Sequence, residues 1–175
     1  MRYFFPLVLV FTALALGFYA YLGGLRTPTI TLETSVAPVL LAGQPYLGRA
    51  SASAFGQLYR QAKTLHDNRQ LPAAQALANL YYNEPADRHD SVQAFVGVRV
   101  ADTAARLPAG WRYRVLPAGH RQLHARLSGV SFMLAPGKLY EAAESSLKSQ
   151  GLTKQPPYLE QFGDGEASEL WLGVK

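Results

Sequence analysis

Glu169 and Trp171 stand two residues apart in the run Ser168-Glu169-Leu170-Trp171-Leu172-Gly173-Val174-Lys175. Alternation predicts a strand there, with Leu170, Leu172 and Val174 on one face and Glu169, Trp171 and Gly173 on the other. The aliphatic face reads as core. The other joins a carboxylate to an indole, which suits either a solvated rim or the floor of a pocket. In a pocket, a cationic ligand would gain charge pairing with Glu169 and a cation–π contact with Trp171. Burial would raise the acid's pKa, so the same group could serve as a general base. Phe95, Tyr82, Trp111 and Tyr140 are the aromatics expected to complete a ligand-binding set with Glu169 and Trp171. Singly, each of these is ordinary core; together they fit an apolar pocket with a few polar contacts.

Other chemistries are poorly supported. The sequence has no cysteine, which excludes disulfides, thiolate metal sites and cysteine nucleophiles. His120 and His124 would share a strand face with Gln122 and Arg126, but no third metal ligand has a fitting spacing, so no metal and no cofactor is expected. Ser128-Gly129-Val130-Ser131 lacks the spacing of a nucleophile elbow, and no Gly-rich phosphate loop is present. With Arg2 and Arg26 set aside, the 17 Lys/Arg fall to 15 against 12 Asp/Glu, too small an excess for a nucleic-acid footprint. The cluster Arg112, Arg114, Arg121 and Arg126 reads as a solvated sheet face or edge.

The elements that must position these residues begin after an apolar segment. Tyr3 to Leu22 carries no charge, and about 20 apolar residues match a bilayer core of roughly 30 Å. An uncleaved anchor is preferred to a cleaved signal peptide, because the run is long for an h-region and no small-x-small site follows it. Residues 1–26 are thus expected to be a transmembrane anchor and juncture, with a slight lean to an extracytoplasmic domain over 27–175. Within that domain a helix is expected from about Ser53 to Asn68, with Asn68 past its end, and another over Pro136–Gln150, ended by Gly151. Gly43 and Pro45 suggest a bulge. Strands are expected near 76–82, 93–100 and 157–162, with a turn at Asn83-Glu84-Pro85.

Three segments recur in one order. Val39–Gly43 matches Val115–Gly119 at 76 residues' separation, Gly56–Tyr59 matches Gly137–Tyr140 at 81, and Phe95–Val98 matches Trp171–Val174 at 76. Self-similarity of this kind predicts a strand-helix-strand-strand unit present twice, over about 28–101 and 111–175. The fold class expected is α+β: a pseudo-twofold duplication, an antiparallel sheet and two helices on one face, preceded by one transmembrane helix. Glu169, Trp171, Gln93 and Phe95 would then lie on the face away from the helices.

Pro117-Ala118-Gly119, the short run to Gly129, the helix with Leu139-Tyr140, the Leu80–Pro85 run and the closing Glu169–Val174 together resemble the GyrI-like small-molecule-binding domain. That domain also serves as the effector-binding half of multidrug-sensing transcription factors. The resemblance covers about residues 28–175, and the ordered duplication is its most specific part. It implies a cleft between two units, a bulky apolar and often cationic ligand, and an acidic contact whose position here is Glu169. It also implies an alternative, hydrolysis of strained electrophilic toxins with Glu169 as the catalytic base. The chain departs from the transcription factors in lacking a DNA-binding domain and from most relatives in carrying an anchor. The expected role is therefore a membrane-anchored domain that senses or sequesters a hydrophobic small molecule; a membrane-tethered adaptor for a protein partner is the remaining alternative.

Overall fold

The computed structural model describes residues 4–71, 74–83, 91–162 and 167–175. Among them are three helices and eight strands: α1 (Phe4–Tyr21), β1 (Thr29–Thr34), β2 (Val39–Arg49), α2 (Ser53–Asp67), β3 (Ala74–Tyr81), β4 (Ser91–Val100), β5 (Arg112–Leu116), β6 (Arg121–Leu127), α3 (Ala135–Gln150), β7 (Lys154–Phe162) and β8 (Ser168–Val174). The expected turn at Glu84-Pro85 and the connector at Pro72 lie outside the described residues.

All eight strands join one antiparallel sheet in the order β1-β6-β8-β7-β3-β4-β2-β5. The α+β class with two helices on one face is therefore as expected. Two strand-helix-strand-strand units, β2-α2-β3-β4 and β6-α3-β7-β8, meet edge to edge where β3 pairs β7. Beyond them, β1 pairs with the second unit and β5 with the first.

This order corrects one of the three sequence matches. Val115 and Leu116 end β5, which pairs alongside Val39 and Leu40 rather than occupying their place in the second unit. The strand holding that place is β6, which begins after Pro117 and Gly119 break the chain direction. The other two matches do fall on corresponding elements, α2 with α3 and β4 with β8.

Strand alternation sorts the side chains into two layers. Leu170, Leu172 and Val174 of β8 pack with Leu123 and Ala125 of β6 against Leu139, Ala143 and Leu147 of α3. In the first unit Val98 and Val100 of β4 meet Ala62 and Leu65 of α2. Each helix thus covers its own half of the sheet by an apolar stripe at three- and four-residue spacing. α3 starts with a proline in its first turn and stops at Gly151, whose φ of 65° is the left-handed geometry that favours glycine. α2 ends differently from expectation: Asn68 caps it without a positive φ, and Arg69 is the residue at φ 52°.

Gly43 and Pro45 do not form a bulge, since β2 runs in unbroken register with β4 from Leu40 to Arg49. Gly43 instead faces Gly97 across the pair, and a Cβ on either would collide with the other strand's backbone. Pro45 is tolerated because β5 pairs β2 only as far as Gly43, leaving the proline on an open edge there. We predict that Gly97→Ala destabilises the protein by about 1–3 kcal/mol, the usual cost of overpacking. Thermal unfolding should show a midpoint lowered by several degrees.

Candidate functional site

One row across the helix-covered face departs from the apolar pattern. Val96 of β4, Asn79 of β3, Glu160 of β7, Leu170 of β8 and Ala125 of β6 lie side by side through successive register pairs. Asn79 and Glu160 are therefore direct partners at the seam between the units. A carboxylate in the middle of such a row is held by hydrogen bonds or it is costly. Here Tyr140 Oη, from α3, donates to Glu160 Oε1 at 2.7 Å, and Tyr81 Oη, from β3, donates to Oε2 at 3.1 Å. Each unit contributes a donor.

The surroundings set the acid's character. Burial raises the pKa of Glu160 above the ordinary 4.5; hydrogen bonds from Tyr140, Tyr81 and Asn79 favour the ionised form but only partly offset it. Burial, with the charge of Glu160 beside it, likewise raises Tyr81 and keeps its phenol protonated as a donor. Asn79 is 4% exposed, and its Oδ1 has no hydrogen-bond partner among the described residues.

Aromatic rings extend this site along the seam in both directions. On one side Tyr81, Tyr140 and Tyr158 line a cavity of about 260 Å³, with Asn83 and Val92 from the first unit and Lys154 and Leu172 from the second. On the other, Phe162, two residues along β7 on the same face, meets Phe132 edge-on at 5.4 Å. Phe132 in turn stacks on Tyr59 of α2 at 6.0 Å. The result is a carboxylate with aromatic walls at both ends, between α2 and α3.

The residues expected from the sequence are divided between the two faces. Tyr140 alone of them touches Glu160. Trp111 is buried in the core of the first unit beneath α2, with Ala62 and Leu65. Glu169, Trp171, Phe95 and Tyr82 lie on the helix-free face, where Phe95, Leu80, Leu159, Trp171 and His124 form a second cross-sheet row. Tyr82 sits under the Arg114 guanidinium at 5.4 Å, and Phe95 is almost fully buried.

Glu169 has partners of its own. His124 Nε2 is 3.7 Å from one carboxylate oxygen and Arg126 Nε 3.4 Å from the other. The His124 ring stacks on Trp171 at 4.7 Å and 9°, and its Nδ1 is 3.5 Å from Glu33. Burial alone would raise the Glu169 pKa, but His124 and the guanidiniums of Arg126 and Arg99 outweigh it, and the net shift is downward. Beside this network is a cleft of about 360 Å³ reaching from Glu33 and His120 to Arg99, Leu159 and Trp171. No group of three or more potential metal ligands exists among the described residues.

Glu160 and Tyr81 were missed by sequence reasoning. A signal was available: Glu160 interrupts Tyr158-Leu159-Glu160-Gln161-Phe162 on the face shared by two aromatics, just as Glu169 interrupts the closing strand.

No protein-family model and no curated protein matches this sequence. Solved structures do match its fold. The EcmrR C-terminal domain superposes with a TM-score of 0.61 at 12% identity, covering 86% of this chain and 99% of the other. SAV2435, solved bound to tetraphenylphosphonium, gives 0.56 at 16% identity over 86% and 94%. A hydrolase from Listeria innocua gives 0.51 at 11% identity over 86% and 92%. The chain thus has the fold of these proteins.

The two acids predict opposite pH behaviour. Glu160, raised on folding, contributes stability fully at low pH that is lost as pH climbs from about 4.5 through its folded pKa. Glu169, lowered on folding, contributes stability above about 4.5 that is lost as pH falls through its folded value. Thermal unfolding of Glu160→Gln should lose the decline on the alkaline side. Glu169→Gln should lose the acid-side decline and be the less stable variant near neutrality.

Proposed function

We propose that the chain is a membrane-anchored protein of the GyrI-like kind that binds a bulky, hydrophobic cation in the helix-side cleft. Glu160 supplies the countercharge. The single observation that carries this reading is the Glu160 carboxylate, held by one tyrosine from each unit at the seam and walled by aromatic rings. A cation placed there would gain a charge partner of low surrounding dielectric together with the faces of Tyr, Phe and Tyr rings. Water or a small inorganic ion would gain little from the rings. The neighbour that was solved with tetraphenylphosphonium supports the ligand class by shared fold. The symmetric strand order, with the helix and closing-strand matches, supports an origin by internal duplication.

Glu160 suits the electrostatic role better than Glu169, because Glu169 already has His124 and Arg126 beside it, whereas the nearest partners of Glu160 are uncharged donors. The Phe4–Tyr21 helix, with no buried residue and long and apolar enough to cross a membrane, supports the anchor.

A second reading, hydrolysis of a strained electrophile, is favoured by one observation: a carboxylate whose pKa burial raises, flanked by two phenols, has the arrangement of a general base. It predicts turnover that disappears in Glu160→Gln while an uncharged product analogue still binds.

The binding experiment is a titration of the full chain in detergent or nanodiscs with tetraphenylphosphonium. Glu160→Gln should weaken affinity by about ten- to a hundredfold, the worth of roughly 1.5–3 kcal/mol for an interaction with a charged group. Glu169→Gln should change it by less than about threefold. The reverse ranking would move the site to the helix-free face.

A further inference from the structure

The segment that follows α1 is bonded to the turn that precedes α3. Ser131 N donates to Leu22 O at 2.9 Å, Arg26 Nη1 donates to Ser128 O at 3.0 Å, and Lys138 Nζ donates to Arg26 O at 2.8 Å. Gly23, with φ of 81°, is pressed against the backbone of Gly129 and Val130, where a Cβ would collide. Two hydrogen bonds and a glycine contact thus hold the segment just past the apolar helix against this turn, and a third ties it to α3.

That turn carries Phe132 and Met133, which are 55% and 83% exposed. Near the helix exit, Tyr21 and Leu25 are also largely exposed. Single exposed apolar residues need no explanation, but a group of them at the end of a membrane-length helix does. α1 spans about 27 Å at 1.5 Å per residue, close to the roughly 30 Å of a bilayer core. Ser131 is hydrogen-bonded to Leu22, the first residue beyond α1, so an anchored α1 would bring residues 132 and 133 close to the lipid headgroups. Phe132 also stacks on Tyr59 and meets Phe162, which lies two residues from Glu160 on the same face of β7.

We propose that the Phe132–Met133 turn is seated in the bilayer interface and that the cleft is loaded from the membrane, its ligand a cation carrying a long hydrocarbon chain. The cationic head lies at Glu160. The chain leaves past Phe162 and Phe132 toward the acyl region, so it is not fully withdrawn from lipid on binding. The occupant of the exposed patch is the lipid surface, because the anchor bonded to the same turn brings that surface to it. This inference rests on the reading of α1 as an anchor and of Glu160 as the ligand's countercharge.

The chain has no cysteine, so Met133→Cys accepts a single fluorophore. The full chain is reconstituted in phosphatidylcholine vesicles and quenched either by nitroxide lipids labelled near the headgroup or by iodide in the water. Phe11→Cys in α1 and Val36→Cys, 97% exposed between β1 and β2, are the references. The expected result is lipid quenching at 133 and 11, and iodide quenching at 36. A label at 133 reached by iodide alone, with 11 in lipid, overturns the portal and leaves the anchor intact. A label at 11 outside the lipid overturns both. Loading of hexadecyltriphenylphosphonium from the protein's own vesicle should be about fivefold slower in Met133→Glu, where a charge enters the interface. Equal loading rates overturn the membrane route. Tetraphenylphosphonium affinity in the same vesicles, compared between wild type and Glu160→Gln, reports separately on the cleft.

Discussion

The hydrogen bonds that Tyr81 and Tyr140 give to Glu160 are the interaction on which the rest of the structure depends. They lie where β3 pairs β7, at the junction of the two units. An acid in a row whose other members, Asn79 apart, are apolar disfavours folding in its charged form unless it is satisfied. The two phenols supply that satisfaction from opposite units, so the group most costly to bury also ties together the halves of the sheet. They leave its charge unbalanced, however, since a phenol is a neutral donor. A half-buried carboxylate with neutral donors and a raised pKa is poised to take either a cation or a proton.

The other face of the same sheet shows the contrasting solution. Glu169 also sits on a half-buried strand beside an aromatic ring, but His124 and Arg126 lie within 4 Å and draw its pKa down. Its charge has cationic partners within the protein, and the His124 ring stacks on one face of Trp171. Two glutamates nine positions apart, on adjacent strands, thus have opposite electrostatic characters. What separates them is which face each strand presents to the helices.

Much of this fold is legible in the sequence. The alternation of β8, the stripe of α3, its proline start and Gly151 stop, and the placing of both helices on one face all follow from local periodicity. Periodicity does not reveal partner choice. That β1 pairs the second unit and β5 the first is decided by long-range register, so Val115–Gly119 was matched to the wrong strand. The site was only half legible for the same reason. Tyr140 could be named from its helix stripe, but Glu160 becomes notable only when β7 is paired with β3 and Asn79 falls beside it. Gly43 and Gly97 each look like isolated strand glycines; their reason is mutual, a close approach of two backbones 54 positions apart in the sequence.

A membrane-length helix is followed by a segment bonded to the turn that carries Phe132, whose ring meets Phe162 two residues from Glu160 on β7. In the proposed binding mode the Glu160 carboxylate is the ligand's charge partner. The most direct measurement is a carbon-13 NMR titration of that carboxyl with and without tetraphenylphosphonium. The account predicts a pKa above the ordinary 4.5 in the ligand-free protein that falls when the cation binds, because a fixed positive charge favours the ionised form. A Glu160 resonance that titrates identically in the presence of saturating ligand would contradict it.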